Sequence, residues 1–253
     1  MELTPVTFLI VCPLVFLAGL VDSIGGGGGL ISLPAYLFAG LPVHSAIATN
    51  KLSSSIGTSV SVARFIRRGL VNLKLAVPSV VAAIGGSALG ANLALSVSDE
   101  AMRYILFAVL PLAAFFVLNR KTFRDEGKHE VVADQRTTIV CLISAFVIGM
   151  YDGFYGPGTG TFLIIAFTVF ARMTVTSANA QAKIINLTAN ISSLAVYLVN
   201  GQVLIPLGLA AAVCNMAGNY VGSGLALQQG TRIVRPVIIG VLILLMSKII
   251  FGW

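Results

Sequence analysis

Gly19-Leu-Val-Asp22-Ser-Ile-Gly25-Gly-Gly-Gly-Gly29 returns about 130 residues later as Gly149-Met-Tyr-Asp152-Gly-Phe-Tyr-Gly156-Pro-Gly158-Thr159. Two residues of slippage follow. Then Lys51 falls on Lys183, Gly69 on Gly201, Gly86 and Gly90 on Gly218 and Gly222, and Arg103 on Arg235. A chain built from two copies, each with one Asp and one Lys inside apolar sequence, reads as a membrane transporter. Its substrate-handling charges are expected where the copies meet.

Composition fixes the class. Hydrophobic residues are 57% of 253 and charged residues 10%, with a mean hydropathy of +0.96. Soluble domains average about 25% charged residues, so this chain cannot clothe itself for water. Continuous runs such as 70–95 and 234–251 are not the alternating segments of an outer-membrane barrel. The net charge of +7 is read as basic residues flanking a membrane and not as nucleic-acid binding. Cys12, Cys141 and Cys214 lie in apolar runs without paired spacing; they read as small buried hydrophobes, and no metal or cofactor is expected. The start Met-Glu-Leu-Thr-Pro lacks a basic n-region and reads as a retained first helix.

The expected fold is all-α and integral to the membrane. Each half offers five apolar segments: Val6–Val21, Leu30–Ala39, Ser45–Phe65, Leu70–Leu95 and Met102–Leu118, then Ile139–Met150, Phe162–Ala171, Ser177–Val199, Leu204–Leu227 and Ile233–Phe251. The second segment of each half is too short for a ~30 Å hydrocarbon core. Each opening pair is therefore read as a broken-helix hairpin followed by three crossings. Residues 1–119 form the first repeat, 120–137 a charged linker, and 138–253 the second repeat.

With the linker on the cytoplasmic side, Arg64, Arg67, Arg68, Lys74, the linker's five basic residues, Arg172, Arg232 and Arg235 all lie inside. Arg103 and Lys248 alone lie outside, which satisfies the positive-inside rule. An odd number of crossings per half follows, so the copies are inverted and both termini lie outside; a parallel repeat is the alternative. The linker itself, five basic and four acidic residues without apolar periodicity, is a solvated connector.

Seven of the nine acidic residues sit at a terminus, a turn or the linker; Asp22 and Asp152 do not. Lys51 and Lys183 are the basic residues farthest from any segment end. An unpaired charge near the bilayer centre costs about 2.5–3.5 kcal/mol even on lenient scales. Asn179, Lys183, Asn186, Asn190, Ser193 and Tyr197 share one helical face, and the first half answers with Ile47, Lys51, Ser54, Thr58, Ser61 and Phe65. Such stripes suit a wet, anion-attracting cavity. The bland reading is that each lysine is structural glue for an aspartate or snorkels to an interface.

The glycine runs, including Gly26, Gly27 and Gly28 and then Gly156, Gly158 and Thr159, permit a helix break whose free N–H groups hold an anion. They also serve simple close packing, as Gly86, Gly90, Gly218 and Gly222 do. No Gly-Lys-Ser/Thr follows, so this is not a nucleotide P-loop. Three roles stay open for Asp22 and Asp152: proton carrier, counter-ion of a lysine, or cap on a broken helix.

At these residues a family resemblance enters. The run from Gly19 to Pro34, Ala39-Gly-Leu-Pro42, and Ala48-Thr-Asn50-Lys51-Leu closely resemble the TauE/SafE sulfite exporter family. Gly149-Met-Tyr-Asp152-Gly-Phe-Tyr-Gly-Pro-Gly-Thr-Gly160 is similar to that family's second repeat. The resemblance spans essentially the whole chain. It implies a plasma-membrane transporter, often an exporter, of sulfite, sulfoacetate or a related small anion. It adds Asn50 and Gln181 to the candidate binding residues, with one departure: Thr-Asn-Lys in the first repeat becomes Gln181-Ala-Lys183 in the second. Asn186 or Asn179 then supplies the amide by helical spacing.

The expected function is therefore a non-enzymatic anion carrier that rocks one repeat against the other. An inside-negative potential favours anion exit by about 2.3 kcal/mol per charge per 100 mV, so export needs no ATP site. The alternatives are a selective anion channel and an intramembrane aspartyl protease; the latter's Gly-x-Gly-Asp motif is absent. Expected partners are the anion and the bilayer, with proton coupling open, no nucleic acid, and a monomer or homodimer.

Overall fold

A computed structural model describes residues 4–98, 100–102, 133–229, 232, 233 and 236. Nearly all of the fifth segment of each half and most of the charged linker, with Arg103, Arg235 and Lys248, lie outside the described residues. Those described are 84% helical, without strands, as an all-α integral membrane protein requires. The helices are α1 (Pro5–Gly25), α2 (Gly29–Phe38), α3 (Val43–Arg67), α4 (Leu73–Leu95), α5 (Gln135–Phe154), α6 (Thr159–Val169), α7 (Val175–Val199) and α8 (Ile205–Gln229).

The opening helices are longer than hydropathy suggested. α1 has 21 residues, about 31 Å at 1.5 Å per residue, and α5 has 20. With α4 and α7, both are long and apolar enough to cross a membrane. A hydropathy reading stops at the first charge; a helix does not. α1 continues through Asp22 and ends where Gly26 turns to φ 77, its N–H donating to Asp22 O at 2.8 Å. α2 and α6, of ten and eleven residues, are half-span pieces as expected.

The same chemistry closes both copies of the third helix. Gly69 and Gly201 each adopt φ 67, conformations a side chain would strain. Leu70 N–H then reaches Phe65 O at 3.2 Å, and Gln202 N–H reaches Tyr197 O at 3.0 Å. Asn72 caps α4 through Lys74 N–H, and Asp134 caps α5 by accepting from Thr137 N–H at 2.7 Å. Hydrogen bonds from Thr137 hold the exposed Asp134 carboxyl below its ordinary value.

Helix direction follows from contacts along each seam. Gly86 and Gly90 of α4 meet Phe146 and Met150 of α5 in the same order, and Phe16 and Leu20 of α1 meet Gly218 and Gly222 of α8 likewise. Leu52, Gly57 and Arg64 of α3 meet Gly208, Asn215 and Ser223 of α8. Thus α1, α3 and α8 run in one sense and α4 and α5 in another, α3 turning tightly into α4. α3 and α7 run oppositely: Gln181 bonds Asn72 at the end of α3, while Thr49 accepts from Leu204 N–H beyond the end of α7. A methyl at Gly86, Gly90, Gly218 or Gly222 would overlap a backbone carbonyl of the facing helix. These four glycines are packing contacts. Their seams join helices of different halves, so the copies interlock.

Alongside an apolar core, large apolar side chains are exposed and many polar ones buried. Leu9, Val77, Val81, Ile143 and Val213 are exposed, whereas Lys51, Thr58, Lys183, Ser193 and Asn219 are buried. Apolar side chains facing lipid around a polar interior are the arrangement a bilayer imposes.

Candidate functional site

The cavity forms where α1 and α5 end and α2 and α6 begin. Gly26 packs on Gly160, and Gly29 on Pro157. Thr161 Oγ1, at 2.9 Å from both Gly25 O and Gly26 O, fastens the two glycine loops to each other. Neither loop has room for side chains at this contact. The N-caps of α2 and α6 are Gly28 and Gly158, without side-chain caps, so Asp22 and Asp152 do not take the cap role left open by the sequence. Both instead lie in the last turns of α1 and α5.

Each aspartate pairs with the lysine of the other half. Lys51 Nζ lies 2.5 Å from Asp152 Oδ2, with 2% side-chain exposure on both sides. Lys183 Nζ lies 2.7 Å from Asp22 Oδ2, with exposures of 0% and 16%. Two buried cations are cancelled by one buried and one half-buried carboxylate, which makes the burial of these charges tolerable. Asn186 Nδ2 approaches Asp152 Oδ1 at 3.4 Å, and Asn190 Nδ2 approaches Asn186 Oδ1 at 3.4 Å. α3 and α7 cross here with their polar faces toward one another.

The resulting cavity is about 30 Å³, room for one or two water molecules. Of the residues proposed from sequence, Asn50, Lys51, Ser54, Asn186, Asn190, Gly27, Gly28, Gly156, Gly158, Thr159, Asp22 and Asp152 line it. In the first turns of α2 and α6, the amides of Leu30, Ile31 and Thr159 already donate to Gly27 O, Gly28 O and Gly156 O at 3.0, 2.9 and 3.1 Å; the helix starts still carry the positive ends of their dipoles.

Five proposed residues do not line the cavity. Lys183 stands behind Asp22. Gly26 is in the loop-to-loop contact. Thr58 is buried further along α3. Asn179 Nδ2 donates to Ser23 O and Ile24 O at 3.3 and 3.0 Å and closes the open end of α1. Gln181 both donates to and accepts from the backbone of Asn72 at 3.3 Å, bracing the α3–α4 turn.

Sequence reasoning missed Asn215, Ser32, Gly29, Gly160 and Ala18. Asn215 matters most. It reaches the cavity from α8, packed against Gly57 and Gly19, and its Oδ1 accepts from Asn219 at 2.7 Å. Its counterpart in the first half is Ala83, so a search for matched pairs passes over it. The signal lay within α8 alone, where Asn215, Asn219 and Ser223 fall on one helical face.

Comparison with known proteins places this geometry. The family described as "Sulfite exporter TauE/SafE" matches residues 11–249. A "Probable membrane transporter protein ORF9" of Sinorhizobium sp is 36% identical over 236 residues, covering 93% of this chain and 89% of that protein. "Probable membrane transporter protein YfcA" of Escherichia coli strain K12 is 33% identical, covering 93% and 86%. A "Probable membrane transporter protein" of Haemophilus influenzae is 31% identical over 241 residues, covering 94% and 93%. No solved structure matches. Sequence, helical architecture and these relatives agree: this chain is a membrane protein of the TauE/SafE sulfite exporter family.

Proposed function

We propose that this protein carries a small sulfur-containing anion, such as sulfite or sulfoacetate, across the plasma membrane by alternating access, in the export direction that the family description names. The observation carrying this reading is Lys51 at the wall of a small cavity, beside the amides of Asn50, Asn186, Asn190 and Asn215 and the hydroxyls of Ser54 and Thr159. An oxyanion needs one cation and several donors converging at once, and the starts of α2 and α6 add the positive ends of their dipoles. The small volume, with the two glycine loops fastened together, supports a carrier over an open channel.

The pairing also argues against proteolysis. An aspartyl protease needs its two carboxylates to share one site and one proton. Here each aspartate is committed to its own lysine. The opposed directions of α3 and α7, and of α1 and α5, support copies inverted in the membrane. The arginine-rich α3–α4 turn then faces the cytoplasm, with both termini outside.

The test is flux of labelled sulfite, sulfoacetate and a carboxylate analogue into proteoliposomes. Saturable sulfonate flux abolished by Lys51→Ala supports the reading. Undiminished flux in Lys51→Ala removes Lys51 from the site. A weaker effect of Lys183→Ala is expected, because Lys183 does not touch the cavity.

A further inference from the structure

This inference rests on the transport reading above and concerns what travels with the anion. The two cross-paired lysines and aspartates sum to zero charge before any substrate arrives. Of the two lysines, Lys51 alone lines the cavity, and its Nζ is already held at 2.5 Å by Asp152 Oδ2. An anion on Lys51 therefore shares the ammonium with that carboxylate or takes its place, and either way adds one negative charge to a site already in balance.

Asp152 has nothing adequate to fall back on. From α7 it meets the amide of Asn186 at 3.4 Å, while Lys183 of that helix is engaged by Asp22. From α1 it faces Asp22, a second negative charge on the same cavity wall. From α6 it faces the neutral hydroxyl of Thr159, and on its own helix Tyr151, whose hydroxyl donates to Pro157 O at 2.7 Å. The α7 phenol Tyr197 is turned to Gly153 O at 3.0 Å. No further cation faces it among the described residues. Anion bound beside an ionised Asp152 would leave one uncompensated negative charge in a buried site, which proteins avoid by protonation.

We propose that Asp152 takes up one proton whenever an anion occupies Lys51, so that this protein moves a monovalent anion and a proton together. The proton comes from water and adds to the carboxylate oxygen. The resulting O–H can donate to the anion, and the loaded site is neutral again. The empty site is neutral too, with Asp152 ionised against Lys51. Both forms that must cross the bilayer thus carry no net charge. Flux of a monovalent anion should then follow the pH gradient and ignore the membrane potential, and its direction is set by the summed anion and proton gradients.

The probe is labelled methanesulfonate, because a simple sulfonate stays ionised and cannot bring the proton itself; sulfoacetate, a dianion with a carboxyl of its own, runs beside it only to test for transport. Full-length protein in liposomes is loaded with a pH dye, and the potential is clamped with potassium and valinomycin. The expected result is about one proton per methanesulfonate, with accumulation changing about tenfold per pH unit of gradient and no response to potential. In Asp152→Asn, whose amide imitates the protonated acid, the proton ratio should fall to zero and flux should become potential-driven. Wild-type flux that follows potential without moving protons overturns this inference alone. Absence of saturable flux for both probes overturns the transport reading and this inference with it. Should Asp152→Asn fail to fold, the wild-type ratio decides by itself.

Discussion

Breaking one of the cross-paired ion pairs should cost far more than deleting it. Lys51 and Asp152 lie 2.5 Å apart with 2% exposure on each side. At an effective dielectric of about 20, their gross attraction is roughly 7 kcal/mol, much of it offset by desolvation of both groups. Lys51→Met removes the cation and leaves a carboxylate buried against Asn186. The expected cost of such a half-deletion is about 3–5 kcal/mol. Asp152→Asn leaves a buried ammonium and should cost about the same. The double variant Lys51→Met/Asp152→Asn leaves no orphan charge, and similar buried pairs tolerate replacement with little loss. It should therefore be more stable than either single variant, by roughly 2 kcal/mol or more, a coupling that a double-mutant cycle isolates.

The thiols give a convenient readout, since Cys141 is buried and Cys12 and Cys214 are half-buried in apolar helices. A thiol-reactive dye in a thermal ramp should show each single variant melting about 10 °C below wild type, with the double variant recovering much of that. The Lys183–Asp22 pair supplies an internal comparison. Asp22 keeps 16% exposure, so Lys183→Met leaves a carboxylate still touched by water and should cost less than Lys51→Met. Single variants that melt like wild type, or a double variant no better than the worse single, would refute the claim that the pair is buried and mutually required.

Cysteines placed at Arg68 and at Asn200, in the turns after α3 and α7, should react with an impermeant maleimide from opposite faces of the membrane; labelling from one face would refute the inverted arrangement. Gly90→Ala should destabilise by about 1–3 kcal/mol through overpacking against Met150 O. Gly85→Ala, five residues away on the same helix with only Phe146 nearby at 4.0 Å, should be neutral or stabilising; equal effects would show that helix propensity and not the seam decides. Asp134→Ala should lower the melting temperature at neutral pH. Because the folded carboxyl titrates below its ordinary 3.8, the cap's contribution is present above that value and fades as pH falls through the lowered one. Wild type and variant should therefore converge in acid, and a gap unchanged by pH would contradict the cap.

The repeat told which residues correspond but not which ones meet. Asp22 and Lys51 belong to one copy, and nothing in a one-dimensional pattern says that each prefers a partner in the other, 161 and 101 residues away. That exchange comes from packing, with α3 and α7 crossing in opposite senses so that each lysine reaches the other copy's helix end. The polar stripe was read correctly as a face, yet it is longer than what it lines. From Asn179 to Tyr197 a helix rises about 27 Å, whereas a 30 Å³ cavity spans little more than a turn. The middle of the stripe, Asn186 and Asn190, reaches the site. Asn179, at its beginning, instead satisfies carbonyls that α1 leaves open. Gln181 lies off the stripe and faces a turn.

The interlocking of the copies also changes what can move. Rocking one sequence half against the other would part α1 from α8 and α4 from α5. These are the seams where glycines admit no side chain, and each gap opened there forfeits close van der Waals contact that a lipid-embedded protein has little else to replace. The looser connections lie elsewhere, around the polar centre, where the side chains of Asn186 and Asp152 meet at 3.4 Å rather than backbone on backbone. Rigid groups that each contain a helix from both copies, α1 with α8 and α4 with α5, can shift about that polar centre without opening a seam. In such a movement Lys51–Asp152 and Lys183–Asp22 are the contacts strained, because each joins α3 or α7 to the opening helix of the other half. Protonating Asp152 as an anion takes Lys51 loosens one of them at the moment the site is occupied. Charge neutrality and freedom to move then have the same cause.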